Sequence, residues 1–418
     1  MITYVKALET VFNHLPLPEE KVTRLNKAEG FFLAEDVLSD TDLPMFDNSA
    51  MDGYAVSSHD TGTAAEATPV ILQIIGDVPA GRPCKENLNS GQALYIATGG
   101  MIPKGADAVV PVEDTIKIAS NKVKILKVVR KHDHIRFAGE DIKKGDTILT
   151  KHAKLGPAQI GMLAAIGKNS LKLFLKPEVA FLATGDELIE PEGIPEPGQV
   201  RNTNALVIGS MVKQSGFRFK NLGIVGDQPD AITNTLKNIS LPDVLITSAG
   251  VSVGRYDIVA ETLKSIGLKI IFWKVAIKPG KPLVFGRIGK TLYFGLPGNP
   301  VSAAVVYRQI VEPALLAMAG SQEPFPIIFS AESQSDIMPI AGRIQFVRGI
   351  CFYDCGWRVR ITGKQSSHMY SSMSQANCLI VIPSDKRVEA GDSVKVQMFN
   401  GLRDTYHETI RAFSELLT

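Results

Sequence analysis

The sequence predicts a multidomain chain of the α/β plus β class, with an α/β region between two smaller β regions. At 418 residues the chain is too long for one ordinary hydrophobic core. Continuous Val/Ile/Leu runs alternate with helical patterns over residues 178–320, as expected for a parallel sheet covered by helices on both faces. Short strand signals separated by Gly, Pro and Asn lie on either side, in residues 70–144 and 321–399.

Composition excludes several classes of protein. Apolar residues make up 45% and charged residues 21% of the chain, as in soluble globular proteins. The net charge of +2 provides no basic field for nucleic acid. The first residues carry an acid and lack the apolar core of a signal peptide, and no apolar run has the length of a membrane span. We therefore expect a soluble, cytoplasmic protein that binds neither nucleic acid nor membrane.

Cysteine and histidine spacing gives little support for a metal site. Four cysteines in a chain of this length do not form a disulfide framework. Cys351 and Cys355, and also His132 and His134, are close enough in sequence to share a metal, but neither pair has further ligands at suitable spacing. We interpret them as ordinary thiols and solvent-facing histidines.

The N-terminal region predicts two helices and one unusual segment. Apolar residues recur at helical spacing in residues 5–15, and a second helix is predicted after Asn26, with Glu29 completing a capping box. Residues 40–56 (DTDLPMFDNSAMDGYAV) have little periodicity but too many large apolar side chains for a solvated loop. We expect this segment to be packed and shaped. Its large apolar residues are Met45, Phe46, Met51 and Tyr54.

Residues 70–144 predict a small all-β domain, because short strands alternate with Gly, Pro and Asn clusters. Two of its turns carry polar groups beside exposed backbone. Thr98 precedes two glycines at the end of a strand, and Asp141 closes the run RFAGED.

The central region predicts alternating strands and helices. A helix begins at Pro157 and ends at Gly167. Strands are predicted at 178–184, 220–227, 243–250 and 268–277, and helices at 204–214, 229–239 and 257–266. Ligands of such sheets bind at the carboxyl ends of the strands. Acids in the turns after these strands should therefore share one rim: Asp186, Glu187, Asp227 and Asp257.

The last part of the chain predicts a hairpin, a helix and a second β domain. The hairpin turns at residues 288–290, and Asn299 can cap a helix that starts with Pro300. Residues 321–399 again contain short strands. The tail from residue 404 has a capping box and one apolar stripe, which predicts a helix that docks on its own body or binds a partner.

Residues 243–304 concentrate the chemistry that could bind an anion. They contain two Gly-rich turns, Asp257, a helix start, and lysines that suit phosphate or oxyanion ligands. A P-loop fails on glycine spacing, and the dinucleotide fingerprint is absent. Ser252 lies in a G-x-S-x-G run, but the later histidines lie in the second β region and the tail, which disfavours a serine hydrolase. Carboxylates facing a phosphate-bearing ligand suggest Mg²⁺, and the lysines suggest a second, anionic substrate.

Seven motifs then identify a family. They are FDNSAMDGYAV at 46–56, ATGGMIPKGADAVV at 97–110, GEDI at 139–142, TGDEL at 184–188, GVSVG at 250–254, IKPGKP at 277–282 and LPGNPVSA at 296–303. In this order the chain resembles the molybdopterin molybdenumtransferases of the MoeA type, also found as the C-terminal domain of gephyrin. The resemblance runs from the first helix to about residue 400.

The resemblance implies a fold with four domains, of which the α/β domain is similar to molybdopterin adenylyltransferases. The implied boundaries are 21–43 with 142–170 for an α/β linker domain, 44–141 for a small β domain, 1–20 with 171–320 for the pterin-binding domain, 321–403 for a C-terminal β domain and 404–418 for a C-terminal helix. It also implies a homodimer in which the β domain of one subunit completes the cleft of the other. Transient contact with a molybdopterin adenylyltransferase and with cofactor-accepting proteins is expected.

The implied reaction inserts molybdate into adenylyl-molybdopterin and releases AMP with the help of Mg²⁺. The implied catalytic residues are Asp52, Thr98, Asp141, Glu187, Asp227 and Asp257, of which the last three would hold the metal. The implied substrate-binding residues are Ser248, Gly250, Ser252, Lys274, Lys278, Lys281, Pro297 and Pro300, and molybdate would meet Arg348 and Ser367.

Two residues depart from the family pattern. Ala249 stands where a second glycine is usual, and Arg255 stands where an acid is frequent. A methyl group at Ala249 could crowd a pterin, and Arg255 removes a negative charge from the rim. Two alternatives remain open: a non-catalytic binding or scaffold paralogue, which the retained carboxylates and lysines disfavour, and an insertase selective for tungstate.

Overall fold

The computed structural model describes residues 1–248 and 258–399, which belong to two compact units. The smaller unit comprises Val22–Glu29 and Leu33–Lys172, and the larger unit comprises Met1–Lys21, Gly30–Phe32 and the chain from Leu173 onward. The finer division into four domains stays a prediction. The predicted tail helix at 404–418 lies outside the described residues.

The smaller unit is built around a six-stranded sheet. Its strands, in spatial order, are Ala108–Pro111, Gly53–Val56, Gln92–Ile96, Val70–Val78, Lys122–Ile125 and Thr115–Ala119. Neighbours are antiparallel except Val70–Val78 and Gln92–Ile96, which are parallel. The MDGYA motif therefore enters a strand with neighbours on both sides, and this strand is buried throughout.

The segment before that strand departs from expectation. Tyr54 is buried, but Met45, Phe46 and Met51 are 63%, 37% and 38% exposed. The expectation of a packed segment is therefore wrong for these three side chains. The backbone of the segment is nevertheless fixed, because Asn48–Ser49 pairs with Ile135–Arg136 and Gly99 donates to the Ser49 carbonyl at 2.8 Å.

The remaining elements of the smaller unit are short. Val37–Leu38 pairs with Thr147–Leu149, and the predicted helix at Pro157 spans Pro157–Ala165. The second predicted helix is wrong, since only the 3₁₀ turn Leu25–Lys27 forms there. Gly30 lies in the left-handed region at φ 72°, only three residues after this turn. The segment is therefore too short to nucleate an α-helix. Two further 3₁₀ turns are Ser58–Thr61 and Val112–Asp114, and two other strands of the chain are Glu20–Arg24 and Ser170–Phe174.

A six-stranded sheet also forms the centre of the larger unit. Its strands, in spatial order, are Arg218–Val225, Glu178–Thr184, Val244–Ser248, Thr291–Leu296, Val284–Ile288 and Leu268–Trp273. The first three are parallel, as predicted. The predicted hairpin joins the sheet: its strand Thr291–Leu296 adds in parallel, and its strand Val284–Ile288 makes the last two pairings antiparallel. The sheet is therefore mixed, and Leu268–Trp273 still ends at the same edge as the parallel strands.

Helices flank this sheet and bury its apolar residues. They are Tyr4–Phe12, Asn204–Gln214, Pro229–Lys237, Ile258–Ser265, Pro300–Val306, the π-helical turn Tyr307–Val311, and Glu312–Met318. The last three form one helix over 300–318, long and apolar enough to cross a membrane, but 78% of its apolar window is buried within the fold. It serves here as a core helix.

The last described region is a closed five-stranded barrel. Its strands are Ile328–Ser333, Ile344–Tyr353, Trp357–Ile361, Cys378–Ile382 and Ser393–Met398, with the short helix Tyr370–Ser374 between two of them. Ile344–Tyr353 pairs with both Trp357–Ile361 and Cys378–Ile382, and this second pairing closes the barrel. Outside it, Ile277–Lys278 adds in parallel to Ile344–Gln345. The lysine-rich loop is thereby attached to the barrel.

Gly53 of the MDGYA motif should tolerate no side chain. A Cβ there would lie 2.1 Å from the Val110 carbonyl oxygen of the neighbouring strand, which cannot move without breaking the sheet. We expect Gly53→Ala to lower the free energy of unfolding by about 3 kcal/mol or more, measured by urea denaturation. Gly99→Ala is the matched control: φ is 79°, but no atom of the described residues lies within 4 Å of the added Cβ, so a cost of about 1–2 kcal/mol is expected. Equal losses would contradict the steric explanation.

Candidate active site

Two strand ends bring three acids together, as the sequence predicts. Asp186 and Glu187 follow the strand Glu178–Thr184, and Asp227 follows its parallel neighbour Arg218–Val225. Asp186 Oδ1 accepts the Asp227 backbone N–H at 3.0 Å. Partial burial raises the pKa of Asp227 above its ordinary value, and the nearby charges of Asp186 and Glu187 raise it further. The charges of Asp186 and Glu187 therefore act on the Asp227 carboxylate.

Gly185 allows the Glu187 carboxylate to fold back over the strand end. Its φ of 145° lies in the region that favours glycine, and an added Cβ would lie 2.6 Å from Glu187 Oε2. The Glu187 carbonyl also accepts the Val200 N–H at 2.8 Å, so the turn is fixed at both ends. Glycine in the TGDEL motif is thus required by the position of the carboxylate.

A cavity of about 570 Å³ lies at this edge of the sheet. Of the predicted site residues that the structure describes, four line it: Glu187, Ser248, Pro297 and Pro300. Ser248 is buried at the end of Val244–Ser248, and its carbonyl accepts the Thr184 hydroxyl at 3.3 Å. The volume suits a small organic ligand.

The lysine-rich loop is folded tightly upon itself. Backbone N–H groups of Lys274 and Val275 donate to the carbonyls of Leu283 and Lys281, at 2.9 and 3.0 Å. Gly280, at φ 106°, leaves room for Val306 of the core helix, which an added Cβ would approach to 2.5 Å. Lys278 is exposed, whereas Lys274 and Lys281 are half-buried. Pro282, next to Lys281, lines the cavity.

Arg348 is buried in the barrel, with a relative exposure of 1%. Its guanidinium donates to three successive backbone carbonyls, those of residues 364–366, and to the Ser372 hydroxyl. Burial lowers the pKa of Arg348 to about 10. These bonds use most of the guanidinium donors, so the side chain fixes the loop that leads to Ser367.

Ser367 is hydrogen-bonded to Asn299, a residue of the cavity wall. Asn299 occupies the N-cap position of Pro300–Val306, as predicted, but its side chain does not bond the first turn of this helix. Its Nδ2 donates instead to Ser367 Oγ at 3.1 Å. Asn299 itself lines the cavity. The loop fixed by Arg348 and the LPGNP turn are therefore in direct contact.

Asp52 and Thr98 form a pair in the smaller unit. Asp52 Oδ1 accepts the Thr98 backbone N–H at 2.6 Å and the Thr98 hydroxyl at 2.9 Å. These two bonds, the backbone one first, lower the pKa of Asp52. Both side chains are exposed, and so is Asp141, whose N–H donates to the Leu43 carbonyl at 3.1 Å. This unit thus presents the side chains of Asp52, Thr98 and Asp141 to its surroundings.

Several predicted residues lie outside the described part of the chain. They are Ala249, Gly250, Ser252, Arg255 and Asp257. Within the described residues no group of three acidic, histidine or cysteine side chains forms a ready-made metal site. His132 and His134 are exposed, Cys351 and Cys378 are buried thiols, and Cys355 is exposed.

Residues that were not among the predicted site residues also line the cavity. They are Leu188, Val200, Arg201, Asn202, Thr203, Asn204, Pro282, Gly298 and Asn299. Val200 and Arg201 form a short strand that pairs in parallel with Leu188–Ile189, and residues 202–204 follow directly after it. The Asn-Thr-Asn sequence just before a predicted helix was the available signal.

Comparisons with known proteins agree with this geometry. Residues 2–167 match the MoeA N-terminal region (domain I and II), residues 180–317 match a probable molybdopterin binding domain, and residues 330–399 match the MoeA C-terminal region (domain IV). The fold is similar to the crystal structure of the molybdopterin biosynthesis MoeA protein of Pyrococcus horikoshii, with a TM-score of 0.79 and 31% identity. That alignment covers 96% of this chain and 100% of the other. These matches confirm the predicted fold class.

Two relatives carry a specific name. A molybdopterin molybdenumtransferase of Haemophilus influenzae is 34% identical over 96% of this chain and 100% of its own length. Molybdopterin molybdenumtransferase 2 of Mycobacterium tuberculosis is 35% identical over 89% of this chain and 93% of its own length. The chain belongs to the molybdopterin molybdenumtransferases, a transferase family of molybdenum cofactor biosynthesis.

Proposed function

We propose that the chain inserts molybdate into adenylyl-molybdopterin and releases AMP, with Mg²⁺ as the metal. The observation that carries this proposal is the meeting of three elements at one edge of the larger unit. The carboxylates and a cavity of the size of an organic ligand lie at this edge. The loop that the buried Arg348 fixes contacts the cavity wall. Such an arrangement suits a substrate with a phosphate link and an oxyanion co-substrate.

The acids fit Mg²⁺ in chemistry and in charge. Mg²⁺ prefers hard oxygen ligands and is usually held by one or two carboxylates together with substrate phosphates, so a complete protein cage is not required. Glu187 and Asp227 would hold it, with Asp257 as a further expected ligand. Burial raises the pKa of Asp227 and the charges of Asp186 and Glu187 raise it further, and a bound cation would relieve the second of these effects. When bound, the metal would offset charge on the phosphate link.

The anionic co-substrate would bind on the lysine side. Lys274, Lys278 and Lys281 provide positive charge, and the loop ending at Ser367 would offer its hydroxyl. Arg348 contributes by holding the carbonyls before Ser367, so its role toward molybdate is mainly one of positioning.

We further propose a cytoplasmic homodimer in which Asp52, Thr98 and Asp141 of one subunit complete the cleft of the other. Met45, Phe46, Met51 and Phe137 expose large apolar surfaces close in sequence to these polar residues. Exposed large apolar side chains in a cluster are typical of an interaction surface. The substrate is adenylylated and the product carries the metal. The chain would therefore receive its substrate from a molybdopterin adenylyltransferase and pass its product to cofactor-accepting proteins.

The reaction can be tested directly. Incubation with adenylyl-molybdopterin, Mg²⁺ and molybdate should release AMP in step with molybdenum in the product, measured by chromatography and elemental analysis. Omission of Mg²⁺ or of molybdate is the control, and each should reduce AMP release by tenfold or more, on the order of the loss of one electrostatic contribution. AMP release at the rate without enzyme would refute the proposal.

The shared cleft predicts complementation between inactive subunits. Asp52→Ala affects the smaller unit and Glu187→Ala affects the cavity of the larger unit. Each homodimer should be inactive, whereas mixed subunits should regain up to about half of the activity per mixed dimer, because one of the two clefts then retains both residues. The heterodimer must be confirmed by two affinity tags. A confirmed heterodimer without activity would contradict a cleft shared between subunits.

A further inference from the structure

The cavity wall contains two side-chain amides whose hydrogen-bonding capacity is only half used. Asn202 and Asn204 are 2% and 5% exposed. Asn202 Oδ1 accepts the Ala205 backbone N–H at 3.3 Å, and Asn204 Nδ2 donates to the Gly298 carbonyl at 2.8 Å. Asn202 Nδ2 and Asn204 Oδ1 have no partner in the part of the chain that the structure describes. Buried polar atoms are seldom left unpaired, and a water, an ion or a ligand usually pairs those that have no protein partner.

Backbone partners fix which way each amide points. The Ala205 N–H can only face an oxygen, and the Gly298 carbonyl can only face a nitrogen. The two unpaired atoms are therefore one donor, on Asn202, and one acceptor, on Asn204. We call these two side chains the amide pair.

Arg201, the neighbouring cation, also lines the cavity. Arg201 donates from Nε to the Pro191 carbonyl at 2.9 Å and from Nη2 to the Gly193 carbonyl at 3.2 Å. Its guanidinium is thus engaged by the backbone of its own loop. Leu188, Pro282 and Pro297 add apolar surface to the same cavity. The unpaired Asn204 Oδ1 needs a donor, which an ionised phosphate does not provide, so these two amides suit the edge of a flat heterocycle better than a phosphate.

We propose that the amide pair binds the hydrogen-bonding edge of the substrate's heterocycle and thereby determines which ring enters the cavity. This inference rests on the proposed function, because adenylyl-molybdopterin offers two such rings. A pterin presents a carbonyl beside an N–H, and adenine presents a ring nitrogen beside an amino group. Either edge supplies an acceptor for Asn202 and a donor for Asn204. Both amides pair fully only when the ring is bound.

The test uses Asn202→Ser and Asn204→Ser with two probes, 6-hydroxymethylpterin and AMP. Serine at position 202 keeps an oxygen that can accept the Ala205 N–H, but it is too short to offer the donor. Affinity is measured by pterin fluorescence and by calorimetry, and folding by thermal denaturation. Asn234→Ser, an exposed amide on Pro229–Lys237, is the matched control.

We expect both variants to weaken binding of the same probe by about tenfold, the effect of one buried hydrogen bond, while the control binds both probes normally. The probe that is weakened identifies the ring at the amide pair. The inference is overturned if both probes bind Asn202→Ser as they bind the wild type, or if the two variants weaken different probes.

If the wild type binds neither probe, the inference fails together with the proposed substrate class. If the wild type binds a probe normally and neither variant weakens that binding, only the role of the amide pair is refuted. Should Asn202→Ser lower the melting temperature, Asn202→Thr, which also retains a capping hydroxyl, replaces it.

Discussion

Asp227→Asn should make the protein more stable at neutral pH while removing most of its activity. Burial and the charges of Asp186 and Glu187 raise the pKa of Asp227 in the folded state. A carboxyl with a raised pKa penalises folding once it ionises, so stability decreases as the pH rises from the unfolded pKa through the folded one. The neutral amide avoids this penalty and keeps the side-chain shape. We expect a higher melting temperature than the wild type at pH 7, and no difference at a pH below the ordinary Asp value of 3.8.

The loss of activity should be large because the same carboxylate is a proposed metal ligand. AMP release should fall by about 10²-fold or more. Mg²⁺ should raise the melting temperature of the wild type but not that of the variant, since the cation relieves the repulsion that the amide has already removed. Asp230→Asn is the control: Asp230 is exposed in the first turn of Pro229–Lys237, where a negative charge stabilises the helix, so that variant should be slightly less stable and fully active. Retained activity in Asp227→Asn, or a lower melting temperature at pH 7, would contradict the assignment.

Local patterns were sufficient to predict the elements that carry this site. The strand Glu178–Thr184 and the helix Asn204–Gln214 occur at the predicted residues because each is defined by its own periodicity and its own start and stop signals. Asp186, Glu187 and Asp227 meet because parallel strands end at one edge, a rule that needs no knowledge of side-chain packing.

The parts that could not be predicted depend on distant residues. The hairpin Val284–Ile288 with Thr291–Leu296 was recognisable, but nothing in its sequence states that it joins the central sheet. Asn299 was predicted as a cap, yet its side chain bonds Ser367, 68 residues away. The unpaired atoms of Asn202 and Asn204 are visible only once the backbone partners of both amides are known. In each case tertiary contacts decide which of several local possibilities is used.

Arg348→Met should destabilise the barrel and weaken molybdate binding together. The buried guanidinium has no carboxylate partner among the described residues, and its bonds go to the carbonyls of residues 364–366 and to Ser372. Methionine fills a similar volume but leaves these acceptors unpaired. Each unpaired buried group costs about 1–3 kcal/mol, so a loss of about 3 kcal/mol or more in the free energy of unfolding is expected, measured by urea denaturation.

Ser367→Ala separates the two consequences of the Arg348 change. That variant should bind molybdate about tenfold more weakly, measured by calorimetry, but keep the stability of the wild type, because only one partly exposed hydroxyl is lost. Arg348→Lys keeps the charge but cannot reach all four acceptors, so it should resemble Arg348→Met in stability. Arg360→Met, an exposed arginine on the adjacent strand Trp357–Ile361, should change neither quantity appreciably. If Arg348→Met weakens molybdate binding at unchanged stability, the guanidinium acts on the anion directly, and the positioning role assigned to it is wrong.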